Sequence, residues 1–369
     1  AGDAFSTTVT AALWTADADA ELSDNPVAPA FAGTVTLAPT LVAPLGGSAG
    51  SLGVTSVTLS AGTDTTASQR WTQAGALRIT ASGVYLARPV SGQSAVLGRF
   101  SPRHFTSTVT TQGCGSFTYS GQPIQTVTVR AMDGATVPAP TPNYVGAFAR
   151  TVTLSDANGT ATGSFTAHTA SPGAFAGGVA TLSPVFTFAV ARTAPASLVL
   201  RATDGEVSSA GNAEGSASVR SGRLHIPNVY GSELLPLPVP LVAQYWNGSA
   251  YTTNTLDNCT VVPASAIAMG NYQKSLAACD TRLTPAGNLS FAGGVPSGAG
   301  LSLTKPGLGK TGSVDLSLNT GSVAAGLTCV GASASAATGA GLPWFGTPAT
   351  ARATFGIFKS PLIYGRENY

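Results

Sequence analysis

Four cysteines carry the most obvious chemistry in this sequence: Cys114, Cys259, Cys279 and Cys329, with no C-x-x-C spacing among them. A zinc site would need closely spaced thiolates or imidazoles, and the three histidines, His104, His168 and His225, lie far apart. Two disulfides are the better reading, and they favour an oxidising compartment. Cys259 and Cys279 flank one loop-like stretch, so the expected pairs are Cys259–Cys279 and Cys114–Cys329. That is one of the three connectivities open to four cysteines. A second group is acidic: Asp17, Asp19, Glu21 and Asp24 lie within DADAELSD, between two strand-like runs. Calcium takes about six to eight oxygen ligands, so this cluster is a candidate calcium site, set against a plain solvated loop. No other cofactor is expected. Two aromatic pairs, Tyr245-Trp246 and Trp344-Phe345, are candidate contact platforms, with core packing as the alternative. Because Pro343-Trp344-Phe345-Gly346 follows a Gly/Ala/Ser stretch, it is expected at an exposed tip.

Catalytic patterns are not found. A nucleophilic triad needs a Ser or Cys beside a His that a carboxylate orients, and there is no G-x-S-x-G elbow. Glycoside hydrolysis needs two carboxylates in one cleft, and none of the 16 acids stands out in an aromatic stretch. The run ending in Gly309-Lys310-Thr311 lacks the first glycine of a phosphate loop at the required spacing. The expectation is a protein that is not an enzyme.

The elements that position these residues are strands. Only 9% of residues are charged, against about 25% in an average domain, and Thr, Ser, Ala, 44 Gly and 24 Pro take their place. β-Branched Thr suits a pleated surface. Period-2 alternation recurs in short runs, such as Phe5–Ala12, Ile124–Arg130 and Val185–Val190, separated by turn residues. The nearest approach to a helix, Ser265–Leu276, is short and weak. The fold class is all-β. A net charge of +2 with scattered arginines argues against nucleic acid, and no apolar run of about 18 residues is present to span a membrane.

The chain repeats itself. FAGTVTL at 31–37 returns as FARTVTL at 148–154, an offset of 117 residues. Thr8-Val9-Thr10 matches Thr126-Val127-Thr128 at 118, and ALRITAS from Ala76 parallels SLVLRAT from Ser197 at 121. Two related Ig-like β-sandwiches are expected at 1–98 and 99–220, followed by a distinct disulfide-bearing β domain at 221–369. In that third part, four prolines interrupt the apolar run 222–244, which reads as an extended edge or interdomain strand. The apolar run Ala351–Tyr364 reads as a buried terminal strand.

Several of these stretches resemble MshQ-like proteins, named for biogenesis of the mannose-sensitive haemagglutinin type IV pilus. The resemblance rests on LGRFSPRHF (97–105), CGSFTYSGQP (114–123), YGSELLPLPVPLVAQYWNG (230–248), LDNC (256–259) and the terminal ARATFGIF…LIYGREN. It implies a Gram-negative, exported, cell-surface setting, with pilus or appendage subunits as partners and host or cell-surface glycans as further candidates. Such proteins often carry an N-terminal lectin-like sandwich, of which this sequence has no trace, so no sugar-binding role follows from it. The expected function is a structural or adhesive surface component, exported across the outer membrane. A secreted carbohydrate-binding module and a self-assembling homo-oligomer or filament subunit are the alternatives.

Overall fold

Alternation of Thr or Ser with Val, Leu and Phe becomes strands throughout the computed structural model, which describes residues 1–356 apart from 18, 20 and 324. The architecture is all-β and multi-domain. The first unit holds β1 (Phe5–Thr10), β2 (Gly33–Ala43), β3 (Ser56–Leu59), β4 (Thr63–Gln69), β5 (Gly75–Tyr85), β6 (Arg88–Gln93) and β7 (Leu97–Phe100). β1 pairs with β4, and β3-β2-β5-β6 form a second sheet, with β7 also on β5. Their inward faces enclose Trp71, Leu59 and Leu77. Trp71 is fully buried, and its indole N–H donates to the Ala49 carbonyl at 2.7 Å, as a buried ring nitrogen requires.

The second unit holds β8 (His104–Thr111), β9 (Thr118–Tyr119), β10 (Thr126–Met132), β11 (Val152–Asp156), β12 (Gly163–Thr166), β13 (Thr169–Ala170), β14 (Val179–Leu182), β15 (Val185–Phe188), β16 (Ala196–Thr203) and β17 (Gly215–Arg220). The sheet β14-β10-β8 faces the sheet β13-β11-β16-β17-β9 across a core built on Phe105, Val127, Leu154, Leu198 and Val219. Burying each such side chain contributes about 1.5–3 kcal/mol before chain entropy is counted.

The repeat is a repeat of register. In the first unit Val9 lies opposite Asp64 and Thr10 opposite Thr63; in the second, Val127 lies opposite Leu182 and Thr128 opposite Thr181. Both partners of each pair have moved by 118. Likewise Leu37 faces Ala81 and Ala38 faces Thr80, while Leu154 faces Ala202 and Ser155 faces Arg201. A one-residue slip would turn each strand's core side chains to solvent, so shared register means a shared inward face.

The third unit opens with β18 (Gly222–His225) and β19 (Val229–Gly231). β19 lies beside Ala349–Phe355, which pairs with Gly312–Leu318, which pairs with Ile267–Lys274. The weak helical candidate therefore contributes a strand instead. Ile267 and Met269 alternate inward along it, and pairing with Gly312–Leu318 decides its conformation. In the proline-rich run, Leu237, Val239 and Leu241 are buried while Pro238 and Pro240 face out. The run is extended, as expected, but its apolar side chains enter the core. The buried terminal strand is present as Ala349–Phe355; the remainder of that run, 357–364, lies outside the described residues.

Candidate functional site at the disulfide-locked joint

Cys114 bonds to Cys259, and Cys279 to Cys329, so the expected pairing is replaced by a different one. Proximity in sequence misleads here. The chain between 259 and 279 is taken up by the strands Val261–Pro263 and Ile267–Lys274, whereas the docking of two units brings Cys114 to Cys259. The first disulfide ties the second unit to the third. The second closes a loop within the third.

Around the first disulfide the second unit inserts a plug. Cys114, Phe117 and Tyr119, from the link between β8 and β10, belong to the hydrophobic core of the third unit. The Tyr119 ring lies 4.9 Å from that of Phe117 and 4.7 Å from that of Phe345. Phe345 is 3% exposed, so it seals the joint and is not an exposed tip. Trp344 packs against the same core and near Gly121 of the second unit. The Gly/Ala/Ser stretch before this pair gave the wrong cue, because small residues also let backbones approach closely.

Buried polar groups at the joint converge on Asp257. Its carboxylate accepts the Tyr119 hydroxyl at 2.7 Å, the Thr260 hydroxyl at 2.7 Å, and the amides of Thr260 at 2.9 Å and Cys259 at 3.1 Å. The last two form a local Asx-type turn. Asn254 donates to the Tyr119 hydroxyl at 2.8 Å and accepts from Arg220 at 2.6 Å. Burial, reinforced by the Asp257 carboxylate, pushes the Tyr119 phenol well above its ordinary range, so it stays protonated and donates. The Arg220 guanidinium sits 5.2 Å from the Phe117 ring centre and 4.4 Å from that of Tyr245. Cys114, Asp257 and Cys259 form the one metal-like grouping among the described residues. Both sulfurs are spent in the disulfide, so no thiolate is left to bind an ion.

The other expected site residues are elsewhere. Tyr245 is half-buried beneath Arg220, and Trp246 meets Tyr251 edge-on at 5.2 Å with Arg192 at 5.6 Å. Both rings are half-buried and engaged within the molecule. In the acidic loop, Asp19 accepts from Asn25 at 2.8 Å, Thr15 at 2.9 Å and the Glu21 amide at 3.1 Å, and Glu21 accepts from Ser23. These bonds, Asn25 foremost for Asp19 and Ser23 for Glu21, hold both carboxyls below their usual range. The loop uses Asp19 and Glu21 to brace itself, and no three of its acidic groups come together as a cation cage among the described residues. His104 and His225 lie on β8 and β18, and His168 between β12 and β13; burial lowers the first two.

A simpler joint links the first two units. Gly2 lies against Gly134, and any side chain at Gly2 would meet the Gly134 backbone at 2.3 Å. The Gly134 amide donates to the Ala1 carbonyl at 3.1 Å. Buried Asn143 donates to the Ser48 carbonyl and accepts the Ser48 amide, both at 2.8 Å.

The fold and this joint define a class: tandem β units, the last two of which are fixed together by an inserted aromatic plug, buried polar bonds and a disulfide. The chain belongs to the DUF6701 family. It matches the family's second domain over residues 1–72, its third over 73–219 and its fourth over 220–368. The first of these boundaries cuts a sandwich, since β5 lies beyond it yet pairs with β2. No curated protein matches the chain. Among solved structures, the mouse nectin-like molecule 4 ectodomain aligns with 99% of this chain and 98% of its own, at 11% identity and a TM-score of 0.24. Domains 4–9 of the surface layer protein SbsC align with 88% of this chain and 39% of their own, at 12% identity and a TM-score of 0.18. An endo-fucoidan hydrolase of glycoside hydrolase family 107 aligns at 11% identity and a TM-score of 0.20; the match covers 86% of this chain and 38% of that one.

Proposed function

We propose that this chain is a non-catalytic structural or adhesive component of a bacterial cell surface, associated with a type IV pilus or another extracellular appendage. The observation that carries the reading is the joint at Cys114–Cys259, where polar and aromatic groups that could serve a ligand are consumed in fixing one unit against the next. Such a joint suits a spacer that holds a set orientation. Two disulfides suit an exported protein. The pilus setting, and appendage subunits or surface glycans as partners, rest on the resemblance to MshQ-like proteins, most specific over 97–123 and 224–259.

Immunogold electron microscopy of intact producing cells tests this reading. Label on appendages, or at their bases on the outer surface, is expected. Label that appears only after permeabilisation would overturn the surface location. Label spread over the cell body with none near an appendage would overturn the association.

A further inference from the structure

The two sandwiches share register, yet one slot filled in the second is open in the first. In the second unit β10 lies between β14 and β8. Its equivalent in the first, β1, pairs with β4 on one side, and no strand among the described residues pairs with its other edge. The side chains register the difference. Val127, Val129 and Ala131 are fully buried. At the corresponding positions, 118 residues earlier, Val9 and Ala11 are half-exposed and Leu13 is 45% exposed. The adjoining Trp14 is 75% exposed.

We propose that the free edge of β1 is a strand-acceptor site, filled in cis by an antiparallel strand that arrives from the N-terminal side of Ala1. Its chemistry follows from β8, which occupies the slot in the second unit. There Val109 faces Val127 and Ser107 faces Val129, and Phe105 is fully buried. The occupant is therefore a strand with apolar or small residues at alternate positions facing the core, and Thr- or Ser-type residues facing out. Two observations favour a strand delivered in cis. Ala1 contacts the second unit through its carbonyl, as Tyr119, 118 residues later, contacts the third through its hydroxyl. In the second unit residues 112–118 suffice to lead from β8 to Tyr119. Moreover, the models matched are the family's second to fourth domains, so the family's order places a further domain on this side.

The test uses the 369-residue chain and the same chain with a copy of residues 104–118, its cysteine changed to serine, fused ahead of Ala1. Amide hydrogen exchange is followed along β1. The fused strand is expected to slow exchange of the outward β1 amides at least tenfold and to raise the melting temperature of the first unit. The same fusion with aspartate at the copied Phe105 and Val109 positions should do neither. The free peptide at micromolar concentration should also fail, because tethering prepays the association. No protection by the fused strand would overturn the acceptor site. Equal protection by the free peptide, or concentration-dependent self-association that protects β1 without it, would overturn delivery in cis in favour of a second molecule.

Discussion

Asp257 is the residue on which the joint between the second and third units turns. Four donors reach its carboxylate, and a buried network of this kind is costly to leave half made. Asp257→Ala should lower stability by about 3 kcal/mol or more, with Asp257→Asn milder because it keeps part of the acceptor set. Tyr119→Phe removes one hydroxyl that makes two bonds and should cost about 1–2 kcal/mol; chemical denaturation of the three variants ranks them. Glu214 gives a pH-dependent counterpart. Burial alone would raise its carboxyl, but the Arg201 guanidinium and the Ser209 hydroxyl outweigh that and hold it below the ordinary range. A carboxylate lowered in the folded state contributes stability that is present above its unfolded pKa and lost as pH falls through the folded one. Glu214→Gln should therefore lower the melting temperature at neutral pH, and the gap from the parent chain should close below about pH 4. Melting curves across that range would show it.

At the scale of the element, β18 carries a tight constraint from the neighbouring unit. A side chain at Gly222 would meet the Tyr119 ring at 2.4 Å, and an aromatic ring held between two units has no flexible end to withdraw. Gly222→Ala should cost about 1–3 kcal/mol and loosen the aromatic cluster, visible as a change in near-ultraviolet circular dichroism. The strands themselves were legible in the sequence because Val, Leu and Phe alternate with Thr and Ser along them. The pairs Val9–Asp64 and Val127–Leu182 stand in the same register 118 residues apart, at the offset the short sequence matches have. The joint was not legible. Cys114 and Cys259 are 145 residues apart, and only the docking of two units brings them together. Phe345 read as a tip because its glycine-rich surroundings say nothing about which surface closes over it. Asp257 left one local trace: an aspartate followed by Asn-Cys-Thr can accept the amides two and three residues on, an Asx-turn pattern.

For the whole molecule, the Cys114–Cys259 bond couples units whose cores are otherwise separate clusters. Cys114→Ser with Cys259→Ser should leave each unit folded while splitting a shared calorimetric transition into separate ones. A single unshifted transition would show that the plug alone carries the coupling. The two disulfides also determine how the chain bears load. Pulled from its ends, the covalent path runs to Cys114, crosses to Cys259, continues to Cys279 and crosses again to Cys329. The 145-residue and 50-residue spans are bypassed, so nearly all of the second sandwich is shielded from tension. At about 3.4 Å per extended residue, that withholds roughly 650 Å of contour length until a reductant is present. In a single-molecule pulling experiment under oxidising conditions, the first sandwich should supply the main extension, with smaller contributions from 260–278 and from the segment after Cys329.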